Sequence, residues 1–109
     1  IGIPTVNLSV PHDKLLPPKG VYMSRVLVRD NWYLGVTNIG CKPTIEGKNP
    51  IGAETYIIDF GQDVYGQDIM VELHKFVRPE MKFDSIEALK SQMSADINYT
   101  INYAGSHTF

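Results

Sequence analysis

The apolar residues of this chain follow one period as far as Pro79 and a different one after it. That switch limits the fold more than any other feature. Before it, short runs rich in valine and isoleucine alternate with turn signals. Residues 20–29 (GVYMSRVLVR) follow the breaker Pro17-Pro18-Lys19-Gly20. Asp30-Asn31 then marks a turn, and 32–39 (WYLGVTNI) reads as the returning strand of a hairpin. Residues 40–52 hold Pro43, Gly47, Asn49 and Pro50 and read as a loop. A third strand is expected at 53–60 (AETYIIDF), with Glu54, Tyr56, Ile58 and Phe60 on one side, and 61–68 as a turn. A fourth follows at 69–77, with Ile69, Val71, Leu73 and Val77 on one face and Glu72 and His74 on the other.

After Pro79, Ile86, Leu89, Met93, Ile97 and Ile101 recur every three or four residues, which is one stripe of a helix. Asp84 is expected to cap its start, with Glu87 completing a capping box, and Gly105 to end it. Several short antiparallel strands followed by one helix leave sheet edges that must be closed. In about 80 residues a small barrel closes them best. The expected fold is mainly β, a small closed antiparallel β-barrel with a C-terminal α-helix packed outside.

The chain has 109 residues, the length of one domain, so 1–109 is read as a single unit. Its 43% hydrophobic and 20% charged residues are ordinary for a globular protein. A net charge of −2 argues against nucleic acid as a partner, because phosphate backbones call for basic surfaces. The one cysteine, Cys41, cannot form an internal disulfide, and no run approaches the roughly 20 apolar residues of a membrane span. A cytoplasmic location without membrane attachment is therefore expected. The chain starts at Ile1 in mid-pattern with no basic leader, as a piece of something longer would.

Four segments could carry chemistry. In Pro4-Thr5-Val6-Asn7 an extended backbone would turn Thr5 and Asn7 to one side, where their oxygens could share a cation such as Mg²⁺; ordinary turn chemistry is the alternative. In 35–44 (GVTNIGCKPT), Gly35 and Gly40 flank a strand end where backbone could approach a ligand, or simply bend. Glu54 is a carboxylate within an apolar strand, either solvated at a rim or held for a purpose. Arg78, Glu80 and Lys82 cluster between the last strand and the helix, where a charged connector is the plain reading. His12, His74 and His107 show no metal-ligand spacing, and there is no P-loop or dinucleotide fingerprint.

Read together, the segments are more specific than they are singly. The runs IGIPTVN (1–7), LPPKGVY (16–22), WYLGVTNIGCKPT (32–44), AETYIIDF (53–60) and YGQDIMVELHKFVRPEMKFDSIEAL (65–89) stand in the order and spacing of riboflavin kinases. The chain resembles that family over nearly its whole length, in particular the kinase module of bacterial bifunctional riboflavin kinase/FAD synthetases. The resemblance implies a six-stranded, Greek-key type barrel. It implies transfer of the ATP γ-phosphate to the 5′-hydroxyl of riboflavin, giving FMN and ADP. It implies Glu54 as general base and Thr5 and Asn7 as holders of Mg²⁺. Pro4, Thr5, Asn7 and Asn38 would bind the nucleotide, and Arg78, Glu80, Met81 and Phe83 the flavin. It leaves open an N-terminal FMN adenylyltransferase domain.

Three positions depart from the family pattern. Val6 stands where alanine is usual, Lys42 where arginine is common and Tyr56 where histidine is common. The family's glycine-rich phosphate loop would precede Ile1, so 1–109 is expected to lack it. A flavin-binding regulatory module without turnover is the alternative function, and a small-barrel nucleic-acid binder is a more distant one.

Overall fold

Residues 5–8, 17–41, 51–61 and 68–106 of the computed structural model are described here, with backbone alone for 7, 8, 41 and 51. They form five strands and one helix: β1 (Val6–Leu8), β2 (Gly20–Val28), β3 (Asn31–Cys41), β4 (Ile51–Ile57), β5 (Ile69–Arg78) and α1 (Ile86–Ser106). The strands make one antiparallel sheet in the order β1-β4-β3-β2-β5. A closed six-stranded barrel is not formed among these residues. Closure requires the two edge strands to bond each other, whereas β1 pairs with β4 and β5 with β2.

Val28 and Asn31 are paired, so the hairpin loop is Arg29-Asp30, one residue earlier than expected. Both loop residues have positive φ (50° and 71°), as a two-residue turn matching the strand twist demands. Glycine 35 and Gly40 lie within β3, which runs on to Cys41 and does not end between them.

Alternation divides the sheet into two faces. Both buried clusters lie on the same face: Tyr22, Ile39 and Ala53, with Leu73, form one, and Val26, Val28 and Ile57, with Val6, Tyr33, Phe60, Ile69 and Val71, form the other. Between them lie three fully buried hydroxyls. Thr37 Oγ1 donates to Ser24 Oγ at 2.9 Å, leaving Thr55 to bond Thr37 at 2.8 Å. Beside them Gly35 faces Ser24, because a Cβ there would come within 2.7 Å of Ser24 Oγ and 2.8 Å of Val26 Cγ2.

Two expectations about strand faces change. Strand β4 stops at Ile57, and Asp59 adopts φ 57°, after which Phe60 joins the core edge-on to Tyr33 at 4.9 Å. Phe60 therefore does not share a side with Glu54. In β5 the register against β2 shifts twice, between Met23 and Ser24 and between Val21 and Tyr22. The first shift brings Phe76 opposite Tyr22, where an unbroken register would put Lys75, with the rings edge-on at 5.3 Å; Phe76 and not Val77 thus shares the Tyr22 side. The second returns Arg78 to the other face, opposite Val21.

The helix lies over that other face. Its cap is Ser85, whose Oγ accepts from the Ala88 N–H at 3.1 Å, not Asp84. The helix thus begins one residue later than expected, and Glu87 is at the second helical position, outside a capping box. It runs through Gly105 to Ser106. Its buried residues are Asp96 and Thr100, whereas Ile86 and Ile101 are exposed. The packed stripe is rotated from the apolar one because Asp96 has a partner on the sheet.

Gly35→Ala is expected to destabilise the fold by about 1–3 kcal/mol, since Val26 is stiff and Ser24 is already bonded. Denaturant unfolding checks this; an unchanged midpoint would mean that the strands spread at no cost.

Candidate functional site

The register places one residue from every strand in a single transverse row: Asn7–Glu54–Asn38–Val21–Arg78. Residues directly opposite one another point to the same face. Here that is the face away from Tyr22 and Val26. A cleft of about 270 Å³ opens above this row, floored by Val21, Val36, Asn38, Glu54 and Tyr56 and roofed by Leu89, Met93, Asp96 and Ile97 of α1. Thr5 stands on its rim, and Arg78, Glu80, Met81 and Phe83 form its opposite wall. Its walls are largely aliphatic and aromatic with a few polar groups, the usual make-up of a small-molecule site.

The sequence-derived residues converge here from four separate segments. Thr5, Asn38, Glu54, Arg78, Glu80, Met81 and Phe83 all line the cleft. Asn7 has its backbone beside Glu54, but its side chain lies outside the described residues, as does Pro4. Lys42, Pro43, His12 and His107 also lie outside them. Lys82 is exposed and is not part of the cleft lining. His74 is 3.3 Å from Glu72 on the surface of β5.

Two polar features define the site's electrostatics. Asn38 Oδ1 is enclosed and has no hydrogen-bond partner, next in the row to the Glu54 carboxylate. Such an orphan acceptor calls for a donor or a cation. At the other end, Arg78 grips Asp96 with two parallel bonds, Nε to Oδ1 at 3.1 Å and Nη2 to Oδ2 at 2.8 Å. Gln92 Nε2 donates to the same carboxylate at 3.1 Å, and Arg78 Nη1 donates to the Pro79 carbonyl at 3.1 Å. The side chains are 17% and 5% exposed, so this is a largely buried pair. Glu80 packs its carboxylate directly on Gly40, in space that any side chain at position 40 would fill.

Sequence reasoning missed Asp96. A carboxylate three residues after Met93 and one before Ile97 sits inside the helix's packed stripe, and a charge there demands a buried partner. That was the available signal. Of the glycines of 35–44, Gly35 makes room for Ser24 and Val26, and Gly40 for Glu80. Among the described residues, no three His, Cys, Asp or Glu side chains are grouped to hold a metal. A cation at the Thr5–Asn7 end would therefore draw on hydroxyl and amide oxygens and on a ligand's own phosphates.

An antiparallel sheet with a polar row under a helix-roofed, mostly apolar cleft defines a small-ligand domain, with Glu54 as the carboxylate of the row. The comparisons agree with it and are more specific. The flavokinase profile, described as riboflavin kinase, matches residues 1–104. A bifunctional riboflavin kinase/FMN adenylyltransferase of Bacillus subtilis is 40% identical over 94% of this chain and 33% of its own length. One from Listeria monocytogenes is 36% identical over 88% of this chain and 31% of its own. A crystal structure described as a macrolide-efflux protein from Streptococcus pneumoniae superimposes with a TM-score of 0.82 at 35% identity, covering 93% of this chain and 33% of that one. The chain belongs to the riboflavin kinase family. It spans about a third of the length of the curated relatives it matches. No helix among the described residues is long and apolar enough to cross a membrane.

Arg78→Met, which leaves the buried Asp96 carboxylate with the neutral Gln92 amide and no opposite charge, is expected to lose about 3 kcal/mol of stability. The double variant Arg78→Met/Asp96→Leu should recover most of it, because a packed apolar pair replaces a buried ionic one at little cost. Thermal melts of both variants check the pair.

Proposed function

We propose that this domain phosphorylates riboflavin, taking the γ-phosphoryl group of ATP to the ribityl 5′-hydroxyl and releasing FMN and ADP. The observation that carries the reading is the position of Glu54. It is the carboxylate of the transverse row, between Asn7 and Asn38, at the floor of the cleft. Family membership supplies the reaction class. The 5′-oxygen forms a bond to the γ-phosphorus as the bond from that phosphorus to the β,γ-bridging oxygen breaks. The hydroxyl proton passes to the Glu54 carboxylate, and ADP leaves. Such transfer asks mainly for positioning and charge neutralisation.

The two ends of the row divide the work. Pro4, Thr5, Asn7 and Asn38 serve the nucleotide side. Thr5 hydroxyl and Asn7 amide oxygens are hard donors, which suits Mg²⁺, and the unpartnered Asn38 Oδ1 adds an acceptor on the other side of Glu54 in the row. Bound Mg²⁺ would neutralise phosphate charge there. Arg78, Glu80, Met81 and Phe83 serve the flavin side, where apolar walls suit a planar ring system and polar edges fix it. The full-length relatives carry an FMN adenylyltransferase activity in their names, and a fused domain of that kind before this one fits the chain's share of their length. FAD biosynthesis would then be the joint output. A cytoplasmic location fits these soluble substrates.

Release of ADP on mixing the protein with riboflavin, ATP and Mg²⁺ tests the reading directly. Tight riboflavin binding with no ADP release would identify a flavin-binding module without turnover instead. Glu54→Gln keeps shape but cannot take the proton, so kcat should fall by about 10²–10⁴-fold while riboflavin and ATP affinities change little. Turnover within a few-fold of the parent would remove Glu54 from the mechanism. Thr5→Ala should raise the Mg²⁺ concentration for half-maximal rate roughly tenfold, the equivalent of ~1.4 kcal/mol. A Mg²⁺ titration of initial rates measures it.

A further inference from the structure

A carboxylate on the packed face of a helix must be held by partners, and Asp96 is 5% exposed there. Its partners are not a matter of charge alone. The Arg78 guanidinium meets it as a planar fork, with bonds of 3.1 and 2.8 Å, and a fork fixes orientation as well as distance. The same guanidinium donates to the Pro79 carbonyl at 3.1 Å. One group thus joins the helix, the last residue of β5 and the first residue of the connector.

The connector, residues 79–85, has neither strand nor helix structure. It is tied at its far end by the Ser85 cap. At its near end it is tied by Arg78, and just beyond by Glu80 on Gly40. Between these ties Met81 and Phe83 face the cleft, and Met81 is half exposed.

We propose that Asp96 is a positioning residue for the flavin side of the cleft: it holds Arg78 so that Glu80, Met81 and Phe83 stand where the ring system binds. The inference rests on the reading of this cleft as the flavin site. It assigns Asp96 to one substrate and not the other. Arg78 and Asn7 occupy opposite ends of a row across five strands. Four strand spacings of ~4.8 Å put them roughly 19 Å apart along the sheet. Loss of the clamp should therefore disturb flavin binding and leave nucleotide and metal binding alone.

Asp96→Asn keeps the volume and one carbonyl oxygen, but turns an NH₂ group towards the guanidinium and breaks one arm of the fork. The riboflavin Kd, read by fluorescence titration on the folded variant, should rise about tenfold or more, since small misplacements in a preorganised site are felt strongly. The KM for ATP and kcat at saturating riboflavin should stay within about threefold of the parent. A riboflavin Kd within about twofold of the parent would overturn the proposal. So would an equal rise in both substrates' constants, which is what a merely structural role gives. Should Asp96→Asn not fold, Arg78→Met/Asp96→Leu keeps the packing without the fork, and a parental riboflavin Kd there overturns the proposal. If Asp96→Asn is parental and only the double variant is weak, Arg78 acts by itself and Asp96 is not a positioning residue. Val36→Trp, which fills the cleft floor, separates this from the underlying reading. If that variant binds riboflavin normally, the cleft is not the flavin site, whatever Asp96 does.

Discussion

Strand register is the constraint on which this site depends. Side chains alternate between faces, so a slip of one residue would send Glu54 into the core and Thr55 into the cleft. The buried hydroxyls set a penalty against such a slip. Ser24, Thr37 and Thr55 come from three adjacent strands and satisfy one another at 2.8–2.9 Å only in the observed alignment. Displacing any of the three strands strands a hydroxyl in an apolar core, which costs about 1–3 kcal/mol for each unpaired group. Gly35 keeps the alignment possible by leaving room for Ser24 and Val26. A small polar cluster on one face thus fixes the row of functional groups on the other.

The helix turns that row into a cleft. Its apolar residues are modest in number on the packed side, and its fully buried positions are Asp96 and Thr100. What locates it is a specific bond to the end of β5 as well as burial. The two register shifts in β5 matter for the same reason. They set Phe76, itself 44% exposed, edge-on against Tyr22 and bring Arg78 back to the cleft face at the level of Val21, within reach of Asp96. Without an irregular β5 the strand would present a different residue at that level, and the helix would lack its anchor.

Much of the candidate site was legible because it is carried by motifs that keep their meaning out of context. Thr5 and Asn7 are two apart on an extended segment, Glu54 interrupts an apolar strand, and 78–83 join strand to helix. The convergence of Thr5, Glu54, Asn38 and the 78–83 connector on one cleft was not legible, since those segments are far apart in the chain and only pairing order brings them together. Family resemblance linked them, where periodicity could not.

By itself the sequence determined four of the strands, the single C-terminal helix and the change between them at Pro79, because the period of apolar residues is a local property. It did not determine the five-stranded ladder of the described residues, unclosed among them, over a closed barrel, which depends on which edges bond. Nor did it determine the phase of β5, the Ser85 cap or the rotation of the helix about its axis. Those were decided by tertiary contacts. A register shift is chosen by what packs opposite, and a helix turns the face whose buried charge has a partner, even when a more apolar face is available.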